Sequence, residues 1–156
     1  MTIRPYEPSD FDACIAAFKS NMPKFFLPEE LDDYSSWLKN YEKGIPFKPD
    51  GVEAYFVVEE DDLLVACGGV FMELGNNIAG MAWGMVDSRL HRQGIGRKFL
   101  LYRIDYIRRN CTTCSIKLDT TQHSRPFFEK YGFAVVKYTE NGYGEGMHRY
   151  DMLFGA

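Results

Sequence analysis

At 156 residues, with 46% hydrophobic and 26% charged residues, the chain has the size and composition of one globular domain with a single sizeable core. Its formal net charge of -4, with no basic stripe interleaved with aromatics, excludes a general nucleic-acid binder. No apolar run approaches a membrane span and Met1-Thr2-Ile3-Arg4-Pro5 lacks a signal-peptide core, so a cytoplasmic protein that does not engage a membrane is expected.

Thr2 to Tyr6 reads as a short opening strand. Ser9-Asp10 then caps a helix through about Lys19, with Phe11, Cys14, Ile15 and Phe18 on one face. Pro28-Glu29-Glu30 starts a second helix carrying Leu31, Tyr34, Trp37, Leu38 and Tyr41. The breaker-rich link Gly44 to Gly51 separates this helical pair from a hairpin, Tyr55–Val58 and Leu63–Met72, which turns at Glu60-Asp61-Asp62. Gly75-Asn76-Asn77 leads into Ile78–Val86, a run without any ionisable residue that reads as a buried strand.

The most informative segment follows. Asp87-Ser88-Arg89-Leu90-His91-Arg92-Gln93-Gly94-Ile95-Gly96-Arg97-Lys98 joins that strand to a helix on which Ile95, Phe99, Tyr102, Ile104, Tyr106 and Ile107 recur near helical spacing. A helix N-terminus offers backbone N–H groups without internal partners together with partial positive charge. Gly94 and Gly96 remove the Cβ atoms that would keep a phosphate from the backbone, and Arg89, Arg92, Arg97 and Lys98 add cationic charge. Strand, glycine turn and helix thus stand in the order an anion site requires. A Walker-type loop is excluded because no Gly-x-x-x-x-Gly-Lys-Ser/Thr run exists, and a dinucleotide fingerprint because Phe99 occupies its third glycine position.

The remaining chain alternates a strand at Ser115–Thr120, a helix at Arg125–Tyr131, a strand at Ala134–Tyr138, a glycine-rich connection at Asn141–Gly146 and a last strand at Met147–Phe154. Cys14, Cys67, Cys111 and Cys114 include one Cys-x-x-Cys. No second ligand pair follows at zinc-site spacing, so reduced thiols and no metal are expected.

The turn His91-Arg92-Gln93-Gly94-Ile95-Gly96 resembles the Gln/Arg-x-x-Gly-x-Gly/Ala signature of the GNAT-type N-acetyltransferases, with His91 where Gln or Arg is usual. Phe127-Phe128-Glu129-Lys130-Tyr131-Gly132-Phe133 is similar to that family's aromatic ending of the fourth helix. The resemblance implies an α/β (α+β) fold in a single domain over residues 1–156, with a mixed central sheet of about seven strands flanked by about four helices. It implies acetyl-CoA as co-substrate, held by Met85, Val86, Arg92, Gln93, Gly94, Ile95, Gly96, Arg97, Thr121 and Phe128, and transfer to a primary amine of a small molecule, peptide or protein by direct attack in a ternary complex. In this scheme the backbone of Met85 and Val86 pairs with the pantetheine amides as an added strand would. Acetyl-CoA, an amine acceptor and a homodimer are the associations it leaves open; nucleic acid and membrane are not among them.

Two positions depart from the family. Phe128 stands at the usual proton-donating tyrosine and Thr121 at the usual asparagine, so another hydroxyl is needed to protonate the leaving thiolate; Tyr143 and Tyr131 are the candidates. A general base is not legible: Ile78–Val86 carries no carboxylate, and Glu73, Asp87 and Asp119 read as surface acids. His123 reads as a capping or surface residue, while His148 suits either an acceptor pocket or a cross-strand pair. The acceptor would enter between Asn21–Leu27 and Tyr143–Tyr150, with Phe25, Phe26, Trp37 and Tyr143 as aromatic walls. An acyl-CoA-binding module without efficient catalysis is the alternative reading.

Overall fold

The computed structural model describes residues 1–155. Its strands are β1 (Thr2–Pro5), β2 (Val52–Glu60), β3 (Leu63–Glu73), β4 (Ile78–Val86), β5 (Ser115–Thr120), β6 (Phe133–Gly144) and β7 (Met147–Phe154). Its helices are α1 (Phe11–Ser20), α2 (Glu30–Glu42), α3 (Ile95–Asn110) and α4 (Arg125–Lys130). The strands form one mixed sheet in the order β1-β2-β3-β4-β5-β7-β6, antiparallel except where β4 meets β5.

Alternation along β2 assigns the two sheet faces. Tyr55 and Val57 point into a core closed by Cys14 and Phe18 of α1 and Tyr34 and Leu38 of α2. Phe56 and Val58 point the other way, onto Ile95 and Phe99 of α3. Leu100 and Ile107 of α3 continue that second layer over Ile116, Phe133 and Met152. The helical spacing of the apolar residues thus matches the side each helix buries.

The β2–β3 turn follows the reading, with Asp61 and Asp62 both left-handed (φ 52° and 62°), the geometry that suits a two-residue hairpin loop. Several boundaries move. A single 3-10 turn, Pro8–Asp10, precedes α1, and the Asp10 carboxylate accepts the Glu7 N–H at 2.8 Å while pairing with Arg4. The second helix begins at Glu30 rather than Pro28.

Strand β6 runs on to Gly144, so the segment expected as a connection is part of the last hairpin. Side chains replace ladder bonds there: the Asn141 N–H donates to His148 Nδ1 at 3.0 Å, and the Gly146 N–H donates to Asn141 Oδ1 at 2.8 Å. The expectation of reduced thiols fails for one pair, because Cys111 and Cys114 close a disulfide between the end of α3 and the start of β5. Cys14 and Cys67 are free and buried. No described helix is long and apolar enough to cross a membrane.

Candidate functional site

Strands β4 and β5 pair only through Ile78–Gly80 and Ser115–Lys117 and then part. Beyond that point β5 keeps its other edge on β7, while β4 continues to Val86 along β3. A wedge-shaped gap opens between Met81–Val86 and Leu118–Thr120, lined by backbone groups with no sheet partner on that side. The Val86 carbonyl at its mouth accepts from Asn21 Nδ2 at 2.9 Å and lies 3.0 Å from His91 Nε2. The Met85 side chain is buried in the core beneath α1 and α2, and its backbone lies opposite Cys67 of β3, so Val86 is the residue whose backbone turns away from β3.

The gap leads to the start of α3. Gly94 is left-handed at φ 82° and precedes the helix with no side-chain cap. The first intrahelical bond is Lys98 N–H to Gly94 O at 3.2 Å, which leaves the N–H groups of Ile95, Gly96 and Arg97 directed out of the helix end. A Cβ built on Gly94 meets nothing within 4 Å, so the space beside it is open. Gly96 lies where α3 approaches α4, its notional Cβ 3.5 Å from the Phe127 ring and 3.7 Å from Val86. The Ile95 side chain plugs the core and anchors the turn.

Arg92 is left-handed at φ 65°, and Arg92, Gln93, Arg97 and Lys98 are exposed around the opening. Arg89 is committed elsewhere: its guanidinium grips Asp87 at 2.8 Å and holds that carboxyl below its ordinary range. Asp87 is therefore occupied as an ion-pair partner, as Glu73 is by Lys48 at 2.8 Å.

Across the gap, Thr121 is buried and its hydroxyl accepts the His123 N–H at 3.2 Å. Phe127 reaches the α3 N-terminus, whereas Phe128 turns toward Phe133 in the core. Tyr131 packs on Phe127 at the far end of α4. From the α1–α2 connection, Phe25 sets its ring edge-on to both His91 (5.1 Å) and His123 (6.0 Å), spanning the gap's mouth. Phe26 and Trp37 are packed against the α1–α2 core, so of the expected aromatic walls Phe25 and Tyr143 remain beside the cleft.

Next to the gap, the Tyr143 hydroxyl donates to Asp119 Oδ2 at 2.5 Å, and Arg149 lies 3.7 Å from Asp119 and 3.0 Å from Asp151. Burial and the Asp119 charge push the Tyr143 phenol well above its ordinary range, so it stays protonated. Gln122 staples the hairpin tip by donating to Gly146 O at 2.8 Å and accepting the His148 N–H at 3.0 Å. Leu27 packs where a Cβ on Gly144 would stand, and its carbonyl accepts the Glu30 N–H at 2.9 Å.

Glu30 thereby enters the same corner, a residue missed in the sequence. Burial, reinforced by the charges of Asp119, Asp33 and Glu29, pushes its carboxyl up to about 7. A half-buried carboxylate with that affinity for protons can exchange one near neutral pH. No group of metal-ligating side chains is found among the described residues.

A family model described as Acetyltransferase (GNAT) domain matches residues 51–135. No curated protein sequence matches significantly. Among solved structures, the chain is similar to the ribosomal-protein-alanine N-acetyltransferase of Brucella melitensis (TM-score 0.74, 17% identity, 98% of each chain covered). It is similar to the ribosomal-protein-S18-alanine N-acetyltransferase of Escherichia coli (TM-score 0.75, 18% identity, 98% of this chain and 92% of that one). An aminoglycoside 6'-N-acetyltransferase complexed with coenzyme A has the same fold (TM-score 0.72, 16% identity, 98% of this chain and 96% of that one).

Proposed function

The chain belongs to the GNAT acetyltransferase family, and from that membership we propose that it transfers an acetyl group from acetyl-CoA to a primary amine by direct attack in a ternary complex. The observation that carries this reading is the continuity of the parted β4–β5 edge with the uncapped α3 N-terminus. The N–H groups of Gly94, Ile95, Gly96 and Arg97, with Arg92 and Gln93 beside them, bind the pyrophosphate. The edge of β4 at Met85 and Val86 takes the pantetheine arm as a partner strand, and Thr121 backs the opposite wall with Phe127, since the Phe128 ring turns into the core. The solved relative complexed with coenzyme A supports this choice of ligand.

The acceptor enters between the α1–α2 connection and the β6–β7 hairpin. An alkyl ammonium near its ordinary pKa of about 10.4 must lose a proton before it can attack. Glu30 takes that proton. The neutral nitrogen adds to the thioester carbonyl, the C–S bond breaks, and the nitrogen's second proton ends on the departing CoA sulfur, relayed by a hydroxyl that gives up one proton and regains another. Tyr143 is the hydroxyl assigned to the thiolate, with Asp119 fixing its orientation; Tyr131, edge-on to Phe127, is the lesser candidate.

Phe128 at the usual tyrosine position favours a second reading, acyl-CoA binding without efficient transfer. Release of CoA thiol, followed across a panel of alkyl amines, amino-terminal peptides and aminoglycosides, separates the two. Amine-dependent release is expected; saturable CoA binding with no release above hydrolysis for any amine would leave only the binding module.

A further inference from the structure

Strand β4 carries an irregularity beside the gap. Its register with β3 passes from Met85 opposite Cys67 to Ala82 opposite Gly69, so Trp83 and Gly84 together face the single residue Gly68. This is a β-bulge, a device that redirects backbone groups within a sheet. Trp83 adopts φ 44°, left-handed backbone that a large side chain takes only where its surroundings impose it. On the α3 side the buried Arg103 guanidinium fills the space over the bulge: a Cβ on Gly84 would stand 2.6 Å from Arg103 Nη1, and one on Gly68 would stand 2.9 Å from the Gly84 Cα.

On the opposite face a chain of buried polar groups ends on the bulge. The Tyr55 hydroxyl donates to the Trp83 carbonyl at 2.8 Å. The Tyr34 hydroxyl lies 2.7 Å from that of Tyr55 and 3.4 Å from the Cys67 sulfur. Tyr34, Tyr55 and Cys67 are each 0% exposed, so no solvent competes for these bonds. None of these three groups belongs to the gap lining or the glycine turn.

We propose that Tyr55, backed by Tyr34, is a positioning residue whose hydroxyl pins the Trp83–Gly84 peptide plane and so aims the unpaired β4 backbone at the thioester. The inference rests on the acetyl-CoA reading above. A peptide N–H directed at a developing oxyanion acts through its fixed direction, so loosening the plane lowers transfer more than it lowers affinity held at the distant pyrophosphate turn.

Tyr55→Phe keeps the ring that fills the core and removes only the hydroxyl. Leu38→Val loosens the same core and leaves every hydroxyl in place. CoA affinity by calorimetry, kcat by thiol release, and backbone hydrogen exchange at Gly84 and Met85 are measured for both. For Tyr55→Phe we expect a CoA Kd within about threefold of wild type, kcat lower by about tenfold or more, and Gly84 and Met85 amides exchanging about tenfold faster. Leu38→Val should lower the melting temperature and reproduce neither the kcat loss nor the local exchange. A kcat for Tyr55→Phe within about twofold of wild type, or an equal fall in Leu38→Val, overturns the role in transfer. Tyr34→Phe, which leaves the Tyr55–Trp83 bond in place, should lower kcat by about threefold and carries the test if Tyr55→Phe does not fold; an unchanged kcat again overturns it. If wild type neither binds CoA nor releases its thiol, the acetyl-CoA reading fails. The exchange measurement stands apart from that outcome, and unchanged protection at Gly84 and Met85 overturns the pinning itself.

Discussion

The Tyr143 hydroxyl and the Asp119 carboxylate, 2.5 Å apart, tie the last hairpin to the strand that forms one wall of the β4–β5 gap. The bond fixes the phenol of β6 against the end of β5. Tyr143→Phe should lower kcat by about tenfold and leave the CoA Kd unchanged, since the pyrophosphate turn lies elsewhere. Steady-state kinetics beside calorimetric titration check this; unaltered kinetics would remove Tyr143 from the reaction.

If Glu30 takes the amine proton as proposed, it should set a pH dependence of activity. Its carboxyl is raised by burial and by the neighbouring acids to about 7, so the proton-accepting form grows as pH rises through that value. The rate at saturating acetyl-CoA should therefore climb with a midpoint near 7, and Glu30→Gln should remove that limb and slow transfer by about a hundredfold. A wild-type limb retained in Glu30→Gln would assign the titration to another group.

The same shift makes a stability prediction of definite sign. The folded carboxyl binds its proton more tightly than the ordinary value of 4.5, so its favourable contribution is complete below that pH and is lost as pH rises toward 7. Glu30→Gln should raise the melting temperature at pH 8 and leave it unchanged at pH 4, as scanning calorimetry at the two pH values would reveal.

Asn21 joins the end of α1 to the end of β4, its buried amide donating to Ala17 O and Val86 O, each at 2.9 Å. Asn21→Ala removes one donor from the Ala17 carbonyl, which keeps the Ser20 hydroxyl at 2.7 Å, and one from the Val86 carbonyl, which keeps His91. A loss of about 1–3 kcal/mol in chemical denaturation is expected, with weaker CoA binding; a stability equal to wild type would mean that water replaces the amide without cost.

Much of the candidate site was legible because its anion end is local in sequence. The charge-free run Ile78–Val86, the glycines at 94 and 96 and the apolar periodicity after Ile95 are contiguous, and the physics of a helix N-terminus needs only neighbours. The parts that escaped are made by packing between distant segments. The Glu30 carboxyl is pushed up to about 7 first by burial and then by the charge of Asp119 on the distant strand β5, with Asp33 and Glu29 adding to it, and neither the burial nor the nearness of Asp119 is visible along the chain. Glycine content around Tyr143 read as a connection, yet Asn141 and His148 side chains keep the strand going. Phe127 and Phe128 differ by one residue along a helix, a rotation of about 100° that decides which ring meets the gap and which enters the core. Arg89 reads in the sequence as cationic charge added to the turn, whereas Asp87 two residues earlier already holds it.

In the proposed function, the Gly94 turn cradles the pyrophosphate of acetyl-CoA. Gly94 is left-handed at φ 82° and a Cβ there meets no protein atom within 4 Å, so added bulk would collide only with a ligand. Gly94→Asn tolerates that backbone and Gly94→Val strains it, so the pair separates obstruction from strain. Calorimetric titration of acetyl-CoA into wild type, Gly94→Asn and Gly94→Val is the most direct measurement. Saturable binding to wild type that weakens by about a hundredfold in both variants, with Gly94→Asn as stable as wild type, is the predicted result. Equal affinity in all three proteins, or no binding to wild type, would contradict it.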